Sequence, residues 1–163
     1  MPVTQVEDML TTKHWEVELL SVSVGQETMP KHDFVRFQPG LLSIEGSAEA
    51  VAKIIAHNQL QCHNRTDDGF TQVDCAQDDL ALPVDRIVTL TDCHSSSFEG
   101  LTFFMADGSS HVVGKQELLN TNVDDGACVV SITSSPTANW WTLGRPFLET
   151  KYVAFDGENQ RIG

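Results

Sequence analysis

Trp140-Trp141-Thr142-Leu143-Gly144-Arg145-Pro146-Phe147-Leu148-Glu149-Thr150-Lys151-Tyr152-Val153-Ala154-Phe155-Asp156-Gly157-Glu158-Asn159-Gln160-Arg161-Ile162-Gly163 closes the chain. A strand ends at Leu143-Gly144, and a short segment follows at Phe147-Leu148. A second strand is expected over Tyr152 to Phe155, where apolar and small residues alternate. Asp156-Gly157 then turns the chain towards Arg161-Ile162. Strand, helical turn and hairpin in such quick succession are the grammar of a β protein.

Outward from this segment the same grammar continues. His14 to Val24 reads as a strand with Trp15, Val17 and Leu19 on one face and Glu16 and Glu18 on the other. The apolar phase then moves to Leu20, Val22 and Val24, which calls for a bulge or for burial on both faces. Gly25-Gln26 is a turn. Ser47 is placed to cap a helix from about Ala48 to His57, with Val51, Ile54 and Ile55 as its apolar stripe and Glu49 and Lys53 one turn apart. Ile87 to Leu90 reads as a strand. Leu101 to Ala106 and His111 to Val113 form a hairpin around Asp107-Gly108. Gln116 to Leu119 is a helical turn and Cys128 to Ile132 a further strand. At 163 residues the chain suits a single core. The fold class is mainly β, since the strands are too short and turn-rich for an α/β sheet.

The closing segment resembles the end of pepsin-like aspartic proteases (peptidase A1-like). That family ends on a Trp-Ile-Leu-Gly-like strand, a Phe-Leu helical turn, a Phe-Asp hairpin and a final Arg-Ile-Gly. The run Trp15-Glu16-Val17-Glu18-Leu19-Leu20-Ser21-Val22-Ser23-Val24-Gly25 is similar to the first strand pair of the family's C-terminal lobe. The resemblance covers one lobe, and it implies a single acid-protease lobe of antiparallel sheets with a few short helices. It divides the chain into a linker or lead-in strand at 1–12 and a lobe at 13–163. Within the lobe lies an acidic insertion at about 58–85.

Family members use two carboxylates, one from the Asp-Thr-Gly of each lobe, which share a proton and activate a water. Laid against that pattern without gaps, Gln38-Pro39-Gly40 falls on Asp-Thr-Gly, Gly46 on the downstream Gly, and Ala50 to Ile54 on the helix that follows. Gly40 is kept and the Asp is not. Gln38 is a neutral amide, unable to take a proton at working pH. Pro39 has no hydroxyl and no backbone N–H, and Leu41-Leu42 stands where the family has small hydroxyl residues. A slip by one residue would place Phe37 at the Asp position, with the same outcome. Asp33, the nearest carboxylate, is five residues upstream. Thr142-Leu143-Gly144 matches the segment through which the catalytic loop is threaded. The resemblance therefore implies a scaffold without catalytic residues, its vestigial motif at Gln38, Pro39 and Gly40.

Net charge is −13, which disfavours nucleic acid and anionic membrane surfaces. No apolar run is long enough to span a bilayer. Glu7 and Asp8 rule the first ten residues out as a signal peptide. Four cysteines allow three pairings. Family position implies Cys93–Cys128, a bridge the loop-entropy model values at about 4 kcal/mol. Cys62 and Cys75 remain, near each other in the insertion. Disulfides would place the protein in the secretory lumen or outside the cell, where the Asn64-Arg65-Thr66 sequon, read here as a loop, would be glycosylated at Asn64. The competing possibility is a small metal-binding domain using Cys62-His63 and Cys93-His94, although no Cys-x-x-Cys knuckle is present. Asp67-Asp68-Gly69 lacks the alternating ligands of a calcium loop. His14, His32, His57 and His111 show no pattern, His57 being favoured by a helix C-terminus. No cofactor is expected. Partners are expected to be proteins or peptides: an N-terminal pepsin-like lobe or a second copy. Phe37, Pro39, Leu41 and Leu42 would supply the apolar docking surface. The runner-up function is half of an aspartic endopeptidase that acts only with its N-terminal lobe.

Overall fold

A computed structural model describes residues 15–67, 69–75, 86–94, 96–120, 128–135, 137, 139–159 and 161–163. The lead-in at 1–12, His14 and the 76–85 part of the expected insertion lie outside the described residues. Two sheets carry the molecule, as a mainly β lobe requires. The larger has eight strands, ordered β12-β4-β13-β3-β1-β8-β9 with β2 paired to β1. These are β1 (Trp15–Val24), β2 (Glu27–Thr28), β3 (Phe34–Phe37), β4 (Ile44–Ser47), β8 (Leu101–Met105), β9 (Ser110–Val113), β12 (Ile132–Ser135) and β13 (Trp141–Leu143). The smaller has five, ordered β10-β11-β7-β5-β6: β5 (Gln61–Thr66), β6 (Gly69–Val73), β7 (Arg86–Leu90), β10 (Leu119–Asn120) and β11 (Cys128–Val130).

The phase change in β1 is a bulge. Leu19 pairs with Met105 and Ser21 with Phe104, so Leu20 has no opposite number. Val17, Leu19, Val22 and Val24 stay in the core on either side of it. Leu20, expected inside after the shift, is the extra residue and is exposed.

Helix α1 (Ala48–His57) has the expected bounds. The Ser47 hydroxyl accepts from the Ala50 N–H at 3.3 Å, and Ala50, Val51, Ile54 and Ile55 are buried against β4 and β12. The Ser47 hydroxyl also meets the Nε2 of buried His32 at 3.1 Å. The Asp107-Gly108 hairpin forms as read, with Gly108 at φ +86°. Short helices α2 (Lys115–Leu118) and α3 (Arg145–Leu148) pack on each other, and α3 also rests on β13 and β4.

The expected strand Tyr152 to Phe155 does not form. Only Phe155–Asp156 (β14) is a strand, paired with Arg161–Ile162 (β15), and Tyr152 is 94% exposed. Of residues 152–154 only Ala154 meets a partner, exchanging backbone hydrogen bonds with Gly163 at 2.7 and 3.0 Å beside the β14–β15 ladder. The β14–β15 hairpin is also fastened by rings: Phe155 lies 5.3 Å from Trp15 and 6.3 Å from Phe37, centroid to centroid. The segment 61–73 is a regular hairpin whose β5 strand also pairs with β7. Asn64 is therefore in a strand between Thr71 and Arg86, rather than in a loop as expected.

Both disulfides are present, Cys62–Cys75 with Cα atoms 5.3 Å apart and Cys93–Cys128 with Cα atoms 5.4 Å apart. One cysteine of each bridge belongs to a strand of the smaller sheet, Cys62 to β5 and Cys128 to β11. No described helix is long and apolar enough to cross a membrane.

Candidate functional site

The site is built by a crossing. β13 lies between β3 and β4, parallel to the first and antiparallel to the second. The chain leaving β3 must therefore step over the end of β13 before it enters β4. Residues 38–43 make that step. The Gln38 N–H donates to the Leu143 carbonyl at 3.0 Å, and the Arg145 N–H donates to the Leu41 carbonyl at 2.7 Å. Between these anchors the Leu41 N–H donates back to the Gln38 carbonyl at 3.0 Å. That bond closes a β-turn with Pro39 at its second position, where a fixed φ is favourable and no N–H is required. Pro39 fits the backbone of this turn.

The glycine that the crossing demands is Gly144. A Cβ there would run into the carbonyl oxygens of Leu41 and Ser43, which lie across it. Gly40 is different. Its missing Cβ has nothing within 4 Å, and its φ is not positive. Gly46, downstream, makes room for Trp141, whose ring carbons would lie 2.6 Å from an added Cβ.

Gln38, Pro39 and Gly40 are exposed at the tip of the loop. Leu41 is half-buried and Leu42 is 70% exposed. Ser43 is buried, and its hydroxyl shares a 2.9 Å hydrogen bond with Thr133 on β12. Phe37 corrects the expected docking surface. It points into the core, 5% exposed, with its ring 5.8 Å from Phe147. The apolar surface of the loop is thus Pro39 and Leu42 with part of Leu41. A cleft of about 240 Å³ opens beside it, between Leu42, Gln116, Asn120, Arg145 and Glu149.

Among the described residues no carboxylate stands at the loop tip. Asp33 is exposed and paired with Lys31 at 3.5 Å. The carboxylates that do gather near the crossing lie on strands. Glu16, on the face opposite Trp15 and Val17, is 4% exposed. It accepts from Arg36 Nε at 2.6 Å and is ion-paired with the same guanidinium. Arg36 also lies over the Trp140 ring, 4.3 Å from its centroid. Glu45 is on the same sheet face, where Thr142 is its opposite number on β13. Burial pushes its carboxyl above the usual carboxylate range, against the Thr142 hydroxyl and the Arg36 charge, which pull it down. This cluster was missed in the sequence. Its one signal was a pair of opposite charges at alternating positions in two strands, Glu16 and Arg36.

A neutral amide over a packed crossing can donate and accept hydrogen bonds, but it has no proton to share with a second carboxylate. All four cysteines being oxidised, no thiolate remains for a metal. Among the described residues no group of three or more His, Cys, Asp or Glu side chains is arranged to hold one. The family model of eukaryotic aspartyl proteases matches residues 1–163. No curated protein matches the chain.

Proposed function

Since this chain belongs to the eukaryotic aspartyl protease family, we propose that it is a non-catalytic lobe of that fold, a pseudoprotease that binds a protein or peptide partner. The observation that carries the reading is the loop tip itself. Gln38-Pro39-Gly40 lies in the crossing loop, on which the gapless comparison puts the family's Asp-Thr-Gly, and three backbone hydrogen bonds hold that loop without an Asp. Catalysis by a dyad needs two carboxylates close enough to share a proton. Neither a second copy nor a foreign lobe supplies the missing one from this side.

The partner is a second pepsin-like lobe or a second copy of this chain, docking on the Gln38 face. Exposed Leu42 and Pro39 support this, because an apolar tip beside an open cleft is a surface that association would cover. The two disulfides and the family fit an extracellular or secretory-pathway location. In that setting the sequon at Asn64 would carry a glycan. The hydroxyl of its Thr66 donates to the Gly69 carbonyl at 2.9 Å, so the sugar would be added before the β5–β6 hairpin closes.

Purified protein is expected to leave denatured globin intact from about pH 3 to about pH 7, the span in which a carboxylate dyad works. Cleavage blocked by a transition-state analogue of aspartic proteases would overturn the reading and favour the endopeptidase alternative. Mass in solution tests the docking face. Wild type is expected to pair, and Leu42→Asp to weaken pairing about tenfold or more. A wild type that stays monomeric alone and with a pepsin-like N-terminal lobe removes this face as an interface.

A further inference from the structure

Helix α1 ends in an imidazole held by two other parts of the chain. His57 is the basic residue of its last turn, where the helix dipole favours positive charge. Its Nε2 donates to Glu99 Oε2 at 2.5 Å, and its Nδ1 faces Glu27 Oε2 at 3.4 Å. Glu27 belongs to β2 and Glu99 to the segment leading into β8. The next residue reinforces the junction. Buried Asn58 accepts from the Glu99 N–H at 2.7 Å and donates to the Glu99 carbonyl at 3.1 Å. On its other side the Glu99 carboxylate lies against Gly25, at φ +55°, in the space a Cβ would need. Phe98, beside it, is part of the core.

A neutral imidazole donates from one nitrogen only, whereas the imidazolium donates from both. Two carboxylates on opposite nitrogens are therefore satisfied together only by the charged ring. We propose that His57 is a proton-operated latch: charged, it ties the β1–β2 turn and the 96–100 segment to the end of α1, and neutral, it lets that corner open.

The surroundings favour the charged form. The hydrogen bond to Glu99 is the largest influence and holds the His57 pKa above its ordinary 6.5. Glu27 acts in the same direction, and partial burial opposes both. The other charged groups nearby are Asp92, which lines a recess of about 200 Å³ with His57, and Lys53, one turn back on α1 and paired with Glu49 at 4.0 Å. The folded pKa being the higher, the latch is fully closed below about pH 6.5 and is lost as pH rises through the folded value. Acid tightens this corner and alkali loosens it.

Amide exchange of residues 97–101, corrected for the intrinsic rate at each pH, tests the latch in the full chain. Wild-type protection is expected to fall roughly fivefold between about pH 5.5 and pH 8.5, while His57→Gln shows no such fall. A flat wild type, or a His57→Gln profile that follows the wild type, overturns the proposal. If His57→Gln does not fold, the wild type alone decides. The His57 ring protons and the Glu27 and Glu99 amides should then titrate with one midpoint, above about 6.5. Separate midpoints, or one below that value, refute it.

Discussion

Glu16 is a carboxylate inside a protein, and Arg36 is what makes that tolerable. With a burial this complete, removing the guanidinium leaves an uncompensated charge. Arg36→Met is expected to destabilise the fold by about 3 kcal/mol, and Arg36→Met with Glu16→Leu to recover most of the loss. Urea unfolding at pH 7 measures both, and a single variant within about 0.5 kcal/mol of wild type would dismiss the pair as structurally idle. The pair was not legible in the sequence, because Glu16 and Arg36 come from strands whose pairing local patterning does not reveal. The same limit applied to Phe37. Its side chain faces inward because β3 presents Val35 and Phe37 to the core and Arg36 to the other face, and apolar character alone does not say which face a residue joins. It applied again to His57, whose carboxylates sit at positions 27 and 99. Gln38-Pro39-Gly40 was legible because a motif is contiguous. Even there, the glycine on which the crossing depends proved to be Gly144 rather than Gly40.

Among the elements, those carrying both a start signal and a period were read correctly. α1 has a capping serine, an apolar stripe of Val51, Ile54 and Ile55 and a basic last turn, and its ends fall where those signals place them. Ser47 serves twice, since the hydroxyl that receives the Ala50 N–H also meets His32. Ser47→Ala should therefore cost more than a simple cap, about 1.5 to 2 kcal/mol, while Ser47→Asp, which keeps the acceptor for the Ala50 N–H, should cost less than half of that. Thermal or urea unfolding of the two variants gives the comparison, and equal losses would mean that the hydroxyl's role lies elsewhere. The bulge in β1 was likewise visible as a break in alternation. The segment after α3 was misread for a physical reason: alternation shows that residues could line a strand, not that a partner strand lies within reach. Of Tyr152 to Ala154 only Ala154 found a partner, in Gly163, and aromatic contacts from Phe155 to Trp15 and Phe37 help to secure this hairpin.

At the scale of the molecule the two sheets are secured by different means. Both disulfides attach to strands of the five-stranded sheet, whereas the eight-stranded sheet is held by packing around Trp141, Phe103 and Phe147. Reduction should loosen the smaller sheet first. The Cys93–Cys128 bridge, spanning 35 residues of sequence, should account for about 3 to 4 kcal/mol of the loss. Hydrogen exchange with and without reductant would show it, and uniform loosening of both sheets would contradict the division. The mainly β lobe could be read from the turns and short strands, but the allocation of strands to two sheets could not, since that depends on pairings between distant segments. The inserted position of β13 bears on synthesis. A ribosome delivers β3 and β4 early, yet the slot between them stays vacant until Trp141 to Leu143 have cleared the exit tunnel. Until then the nascent chain presents two unpaired edges and an unsupported loop. A chain cut short before Trp141 would thus keep both of those edges open, and the first strands wait for their partner on a segment made long after them.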